Sequence, residues 1–378
     1  MPAQRLKVLH ASGFYYLPPS QTYVHSRVLN PICQRPVPVV TSWAYPEYRA
    51  CQEINFHEES PSYVIQYKDK NKSKIPAHTK TCSSLYCQQV IAQVHPQLIH
   101  AHFARVGERC LSIARSLSIP LVINFYGVET NRDIYDPRWT ERLKKIYTEA
   151  DALICSSRQM KCIMQENGCS GDKIRPIPCG IDTNFFCGAV TPWEPGQTLN
   201  LISIARLHPD KGLTYLLDAC ELLNRSGFTD WQLTIIGHGQ SEAALQQQSR
   251  DNGLQDQVSF LQHQSPFQVR DRLRSAHLKI LPSLKEAQGI ALLEAQAMST
   301  PVIASNVGGI SEGLLDGKTG FLCEPRSPQA LLEKIQLVLE APSLLEVMGH
   351  AGHLHVEKLF SRDKEYQELA SLYQSLTQ

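Results

Sequence analysis

From Leu199 onward, short apolar runs alternate with longer stretches whose apolar residues recur at three- and four-residue spacing. That alternation predicts a parallel sheet covered on both faces by helices. Strands are expected at Leu199 to Ile204, Trp231 to Ile236, Val258 to Leu261 and His277 to Leu281. A helix over Leu213 to Asn224 stops at Ser226-Gly227, and Ser265-Pro266 and Ser327-Pro328 each pair an N-capping serine with proline at the first helical position. The second of these precedes a helix over Gln329 to Glu340.

The N-terminal half carries the same kind of pattern. Arg5 to His10, Val37 to Thr41, Tyr63 to Tyr67, Gln97 to His100, Pro120 to Phe125, Ala150 to Cys155 and Lys173 to Pro178 read as strands. Cys82 to Val94 has helical spacing, and Gly168 is placed to end the helix that follows Ser156-Ser157-Arg158. Pro192, Pro195 and Gly196 stand in a stretch without periodicity, which reads as a linker. The expected division is a first α/β domain over 1–186, a linker over 187–198 and a second α/β domain over 199–357. A final segment, 358–378, has Tyr366, Leu369, Tyr373 and Leu376 on one helical stripe. Open parallel sheets bind ligands beyond the carboxyl ends of their strands, so both domains are expected to be Rossmann-like and to meet at a cleft there.

A chain of 378 residues, 42% hydrophobic and 19% charged, has the size and balance of two soluble globular domains. Its net charge of +1 supplies no field to gather nucleic acid. The twelve cysteines form no C-x2-C pair; Cys82 and Cys87 come nearest, with no second half, so free thiols in a reducing compartment are favoured over zinc or disulfides. The first apolar run turns polar at His10 and no small-residue cleavage site follows, so a cleavable leader is not expected, and no run approaches the ~18 apolar residues of a membrane span. The expectation is a cytoplasmic protein whose membrane contact, where it occurs, is peripheral at the inner face. The basic run KDKNKSK (68–74) reads as a solvated loop ahead of a lipid-headgroup patch.

The stretch Leu281 to Glu312 concentrates the chemistry. Glu286 precedes a helix expected to begin near Gly289, and Glu294 follows eight positions later inside it. The opening amides of Ile290, Ala291 and Leu292 lack helical partners and carry about half a positive charge, which suits an anion. Carboxylates beside such an opening suit a ligand with both hydroxyls and phosphates, which describes a nucleotide sugar.

Glu286, seven residues, Glu294, then Pro301-Val302-Ile303-Ala304 and Gly308 to Glu312 resembles the E-x7-E block of retaining glycosyltransferases of family 4, which have the two-domain GT-B fold. Arg206 and Lys211 (IARLHPDKG) resemble the family's phosphate-binding pair, Gly237 and Gly239 (IIGHGQ) its next loop, and Gly317 to Pro325 its last. Cys179 to Phe186 (CGIDTNFF) matches its Gly-[IV]-Asp-x-x-x-Phe signature, and Ser20-Gln21-Thr22-Tyr23-Val24 resembles a helix start of envelope-polysaccharide members. Three positions depart. Ala287-Gln288 stands where Gly-Phe is common and could narrow the sugar pocket. The first loop has only Gly13, which either approaches the donor phosphates or belongs to a plain strand-loop-helix connection. Tyr126 replaces the histidine of His-Gly-x-Asp, exchanging a group that titrates near neutral pH for one that stays neutral and putting a His-dependent role in doubt.

The resemblance implies a sugar transfer from a nucleoside diphosphate sugar to a glycan, lipid-linked or small-molecule hydroxyl, with retained configuration and no cofactor. The chain has no D-x-D string to hold a metal; Arg206 and Lys211 can supply the positive charge instead. Glu294 would accept hydrogen bonds from the ribose and Glu286 from the donor sugar, while Gln262 and His263 would flank the base. Glu129 is a candidate for acceptor hydroxyls. His100 and His102 share one strand face; one of them could stand at the sheet edge near a sugar, or both could be core histidines. Asp182 and Arg158 read as turn and surface residues. In this family the last helix crosses back to the first domain. A catalytically silent scaffold subunit is the competing class, motivated by Tyr126 and the thin first loop; an exported solute-binding protein would not need Arg206, Lys211, Glu286 and Glu294 together.

Overall fold

Leu121–Asn124 and Ala152–Cys155 are buried at every position, as strands must be when helices cover both faces of their sheet. The computed structural model describes residues 6–11, 34–41, 63–65 and 96–378. They form two units, residues 1–177 with 365–378, and residues 178–364. Gly13, Ser20 to Val24, the basic run 68–74, Cys82, Cys87 and the helix expected over 82–94 lie outside the described residues.

In the first unit the strands are β1 Leu6–Ala11, β2 Gln34–Thr41, β3 Tyr63–Ile65, β4 Leu98–His102, β5 Leu121–Asn124, β6 Ala152–Cys155 and β7 Ile174–Pro176. Their order is β3-β2-β1-β4-β5-β6-β7 with every pairing parallel. The direction of winding reverses between β1 and β4, which opens a crevice at their carboxyl ends. Gly168 takes φ 90° just past the helix Arg158–Glu166, the left-handed stop expected of it. The helix Arg362–Thr377 lays Leu369, Leu372 and Tyr373 against Val8, Leu98, Val122 and Ile154 of this sheet.

The second unit contains β8 Leu199–Ile204, β9 Trp231–Ile236, β10 Val258–Leu261, β11 Leu278–Leu281, β12 Val302–Ser305 and β13 Gly320–Cys323. They run parallel in the order β10-β9-β8-β11-β12-β13, the doubly wound order, with the switch point between β8 and β11. Alternation along β11 sends Leu278 and Ile280 into one apolar core and Leu281 into another. Ser265 closes a full capping box with Gln268, and Ser327 accepts from the Ala330 amide at 3.1 Å.

The segment assigned from sequence to the end of the first domain lies in the second unit. Ile181 exchanges backbone hydrogen bonds with Phe360 and Arg362, Asp182 binds Arg362 at 2.8 Å, and Phe186 is buried in the second unit's core. The expected linker is also packed there. Trp193 is buried beside Phe228 and donates to Gln197 O at 2.8 Å, and Ser299 donates to Gly188 O. Prolines without periodicity signalled a linker, but burial of one tryptophan outweighs them energetically.

Candidate active site

In the second unit the loop after β8 carries Arg206. Its backbone interlocks with the loop after β9, where Leu207 N donates to His238 O and Ser241 N donates to Leu207 O, both at 2.9 Å. A Cβ at Gly237, which sits at φ 150°, would overlap the Ala205 carbonyl oxygen, so glycine is required for the two loops to touch. Arg206 is exposed, and its guanidinium makes no hydrogen bond or ion pair among the described residues. It is a free cation on a fixed backbone.

Five residues on, Lys211 closes the 3-10 turn Pro209–Lys211. Leu284 N donates to Asp210 O at 2.7 Å, which fastens this turn to the loop after β11. The Lys211 ammonium is ion-paired with Glu286 Oε1, and Ser283 Oγ donates to the same oxygen at 3.2 Å. Both charged side chains are nearly enclosed, at 14% and 15% exposure, so their attraction is screened much less than at a surface. The Glu286 backbone is held from below: Gly309 N donates to its carbonyl, and a Cβ at Gly308 would collide with that oxygen. The two expected phosphate and sugar contacts therefore face each other.

Gln288 behaves differently from the expectation of a narrowed pocket. Its side-chain amide is buried and makes two hydrogen bonds to the Cys179 backbone, donating to the carbonyl at 2.8 Å and accepting from the amide at 2.9 Å. An amide can satisfy both backbone groups at once, which an aromatic ring cannot. Gln288 thus fastens the segment that leads into Ile181 and Asp182.

The helix Ile290–Ala297 starts from Gly289 at φ 87°. Of the three amides expected to be open, that of Leu292 donates to Gly289 O at 2.9 Å, so Ile290 and Ala291 supply the open pair. Glu294 is half-buried as a residue, yet protein encloses its carboxyl, and burial raises it to about 7 against the opposing charge of Lys279. Its carboxyl accepts no hydrogen bond among the described residues. Lys279, on β11, is fully buried, and among the described residues its Nζ has no hydrogen-bond partner. Burial lowers its ammonium, and the charges of Glu294 and then Glu286 oppose that shift. Lys279 was missed from sequence, although a lysine inside the apolar strand LKIL was the available signal.

Gln262 and His263 are exposed at the end of β10. The Gln262 amide bonds Glu242, and the His263 ring lies 6.2 Å from that of His238. They adjoin the Gly237 loop.

In the first unit, His100 and His102 are both fully buried and stack at 4.5 Å. His100 Nδ1 bonds Tyr373 Oη of the last helix at 2.6 Å, and His102 Nδ1 bonds Tyr126 Oη at 2.7 Å. Both are buried as core histidines, and His102 is the last residue of β4, at the carboxyl edge of the sheet. Tyr126 keeps an imidazole partner even though it replaces one. Glu129 is corrected as well. Its Oε1 accepts from Ala104 N at 3.0 Å, and Oε2 accepts from Tyr126 N and Gly127 N at 3.1 and 3.2 Å. With the side chain buried and both oxygens taken, it holds the loop after β5 to the helix Ala104–Leu117. Burial nevertheless raises its carboxyl to about 6. Phe103, beside this loop, sits at φ 71°, a strain of about 1–3 kcal/mol that no sequence pattern signalled.

Asp182 accepts from Phe185 N at 3.1 Å in a turn, and Arg158 is an exposed first residue of its helix. No three metal-ligating side chains converge among the described residues, and no helix there is long and apolar enough to cross a membrane.

Two family profiles match the chain: Glycosyltransferase Family 4 over residues 57–185 and Glycosyl transferases group 1 over residues 194–355. The chain carries both domains of a glycosyltransferase. A curated relative of this glycosyltransferase is the amylovoran biosynthesis glycosyltransferase AmsK of Erwinia amylovora, 27% identical over 285 residues, spanning 74% of this chain and 70% of AmsK. Among solved structures, the sucrose-phosphate synthase of Thermosynechococcus elongatus superposes with a TM-score of 0.78 at 19% identity, covering 98% of this chain and 99% of that one. HepE from Anabaena, solved with UDP-glucose, gives 0.79 at 18% identity and covers 98% and 100%. Likeness at this identity carries the fold, which is GT-B with two Rossmann-like domains.

Proposed function

We propose that this glycosyltransferase is a retaining, metal-independent enzyme that moves a hexose from a nucleoside diphosphate sugar to a hydroxyl of a glycan, lipid-linked or small-molecule acceptor. The observation that carries the reading is the convergence within the second unit of Arg206, the Lys211–Glu286 pair, and Glu294 on a helix with open amides at Ile290 and Ala291. Arg206 and the helix opening would take the pyrophosphate, whose leaving oxygen gains charge as the glycosidic bond breaks. Lys211 would divide its charge between Glu286 and the phosphate, which loosens Glu286 to accept from the sugar hydroxyls. Glu294 would accept from the ribose, and Gln262 and His263 would flank the base. The acceptor oxygen forms its bond to the sugar carbon on the face the phosphate leaves, and its proton passes to the departing phosphate oxygen. Arg206 and Lys211 supply cationic charge without a metal.

HepE, whose printed complex contains UDP-glucose, favours a uridine nucleotide among the donors to test first. AmsK, a polysaccharide biosynthesis enzyme, favours a growing or lipid-linked glycan as the acceptor, handled on the cytoplasmic side. A thermal-shift panel of nucleoside diphosphates and their sugars tests the donor, since a ligand at 100 times its dissociation constant adds about 2.7 kcal/mol. Nucleotide release with and without acceptors tests the transfer. Activity that a chelator abolishes and magnesium restores would overturn the metal-independent mechanism. The competing reading, a sugar-nucleotide-binding scaffold subunit, draws on Tyr126 in place of the family histidine. It requires a shifted panel with no turnover.

A further inference from the structure

The loop between β11 and the helix Ile290–Ala297 is fastened at its two ends to different parts of the second unit. Its first half is tied to the turn after β8 and to the loop after β12, with Leu284 N donating to Asp210 O at 2.7 Å and Gly309 N to the Glu286 carbonyl at 3.2 Å. Two residues, Ala287 and Gln288, separate Glu286 from Gly289, which opens the helix without a side-chain cap. Gln288 ties this second half to the Cys179 backbone, donating to the carbonyl at 2.8 Å and accepting from the amide at 2.9 Å. Its side chain is buried, so water does not compete for these bonds.

Cys179 stands where the chain passes from one unit to the other. The second unit begins at Pro178, and the chain leaves it after Lys364. Within the second unit the entering and leaving segments are bonded to each other: Ile181 N donates to Phe360 O and Arg362 N donates to Ile181 O, both at 2.8 Å, and Arg362 pairs with Asp182 at 2.8 Å. They are also in close contact, since a Cβ at Gly180 would fall 2.6 Å from Arg362 Cα. The entering and leaving segments thus form one hydrogen-bonded knot, and the Gln288 amide ties the loop of Glu286 into it.

A loop that a ligand must order before it can bind costs affinity, whereas a loop already ordered does not. We infer that Gln288 is a positioning residue: its amide holds the Glu286 loop and the helix opening in the arrangement that receives the donor, by fixing them to the segment through which the chain enters the second unit. Buried against backbone, it acts on the donor through Glu286 and the amides of Ile290 and Ala291, so this role rests on the reading of those groups as the donor site. The coupling is reciprocal, and a bound nucleotide should steady residues 179–181 along with the loop.

The test compares three full-length proteins. Gln288→Met keeps the length of the side chain and removes both hydrogen bonds, and Gln288→Glu keeps one or both according to pH. A protonated carboxyl accepts and donates as the amide does, whereas a carboxylate only accepts and would turn a lone pair toward the Cys179 carbonyl. Burial raises such a carboxyl, so the stability it lends is complete below its unfolded value and lost as pH rises through its folded one. Other ionisable groups stand on the segments packed here: Lys285 and the Lys211-paired Glu286 on the loop, the Cys179 thiol and the Arg362-paired Asp182 on the entering segment, and Glu312 on the short helix Ile310–Gly313. Each variant is therefore read against wild type at the same pH.

The readouts are binding of UDP, GDP and ADP, and amide hydrogen exchange with and without the nucleotide that binds wild type. Gln288→Met should weaken that nucleotide roughly tenfold. Gln288→Glu should stay within about twofold of wild type at about pH 5.5 and approach the Met variant at about pH 8.5. In wild type the nucleotide should slow exchange both in the loop and over residues 179–181, and in Gln288→Met in the loop alone. A Gln288→Met protein that is less stable yet binds as wild type does marks a purely structural amide and overturns the positioning role, as does protection of 179–181 that survives the substitution. If Gln288→Met does not fold, Gln288→Glu decides: binding equal to wild type at both pH values, or equally weakened at both, overturns the role. Failure of every nucleotide to bind wild type overturns the donor reading and the positioning role with it, whereas a nucleotide that binds wild type and both variants alike overturns the positioning role alone.

Discussion

Glu129 in the first unit and Glu294 in the second both follow a parallel strand, both lie at or in a helix beyond it, and burial raises both carboxyls. Their partners differ. Glu129 accepts from three backbone amides at 3.0 to 3.2 Å, which takes three of the about four acceptor sites of a carboxylate. Glu294 accepts from none among the described residues, and the charge of the buried Lys279 opposes the upward shift of its carboxyl. Hydrogen bonds to amides fix a carboxylate in place; a counter-charge without hydrogen bonds stabilises it while leaving its lone pairs open. Saturation, more than burial or a shifted pKa, therefore separates the structural acid from the one available to a ligand. The histidines of β4 are buried and each is tied through Nδ1 to a tyrosine hydroxyl, whereas Arg206 falls on the open side with Glu294.

The largest effect should come from the open side. Arg206→Ala removes an exposed cation with no partner, so the midpoint of unfolding should stay within about 0.5 kcal/mol of wild type. Turnover should fall about 100- to 1,000-fold, the usual loss for one charge-stabilising donor. A folded and nearly fully active variant would place the phosphates elsewhere and remove Arg206 from the comparison.

Next comes the saturated side. Glu129→Ala strands three buried or half-buried amides and should cost about 3 kcal/mol of stability, read by denaturant unfolding, with the donor KM unchanged. Its pH signature has a definite sign. A carboxyl raised from 4.5 to about 6 lends stability below the lower value that is lost as pH rises through the upper one, and Glu129→Ala should flatten that descent. A raised donor KM in this variant would show that saturation does not mark a structural acid.

Sequence was informative where a local pattern had one physical meaning. Strands β8, β9 and β10 lie at their expected bounds because short apolar runs between turn residues suit strands of a sheet covered on both faces. Arg206, Lys211 and Glu286 stand in the loops and turn after β8 and β11, and Glu294 in the helix that follows, at the positions where the resemblance to the family's motifs put them. What could not be read was anything decided by partners distant in sequence. Glu129 looked available because nothing local shows the Ala104 amide, 25 residues away. Gln288 looked like a pocket residue because its acceptor and donor lie 109 residues earlier. Lys279 went unremarked inside the strand His277 to Leu281 because its burial is set by other elements, and Trp193 was placed in the linker because its neighbour Phe228 belongs to another element.

A smaller effect is expected at Glu294 itself. Glu294→Gln keeps the size of the side chain and one acceptor oxygen but loses the charge, so the donor KM should rise about tenfold, worth ~1.4 kcal/mol, with a lesser fall in kcat. Glu286→Gln should show the reverse balance, because the sugar it faces becomes positively charged only as the bond breaks. Steady-state kinetics of the two variants decide, and matching profiles would dissolve the distinction between ribose and sugar contacts.

The smallest effect belongs to the buried histidine pair, and it tests the saturated side where no carboxylate is involved. Tyr373 is fully buried, and its hydroxyl meets His100 Nδ1 at 2.6 Å. Tyr373→Phe keeps the ring that packs on Leu98 and Val122 and deletes only the hydroxyl, so the loss is that of one buried hydrogen bond whose partner remains, about 1–2 kcal/mol. Because the pair lies inside the first unit with both rings out of solvent, kcat and KM should match wild type once the protein is folded. Tyr126→Phe makes the matching cut at His102, but Tyr126 is itself half-buried. If both variants lose stability and neither loses activity, the stacked histidines are packing. If Tyr126→Phe alone lowers kcat, then a hydroxyl held by a buried imidazole has taken over the place of the missing histidine, and saturation on one side of a residue does not exclude work on the other.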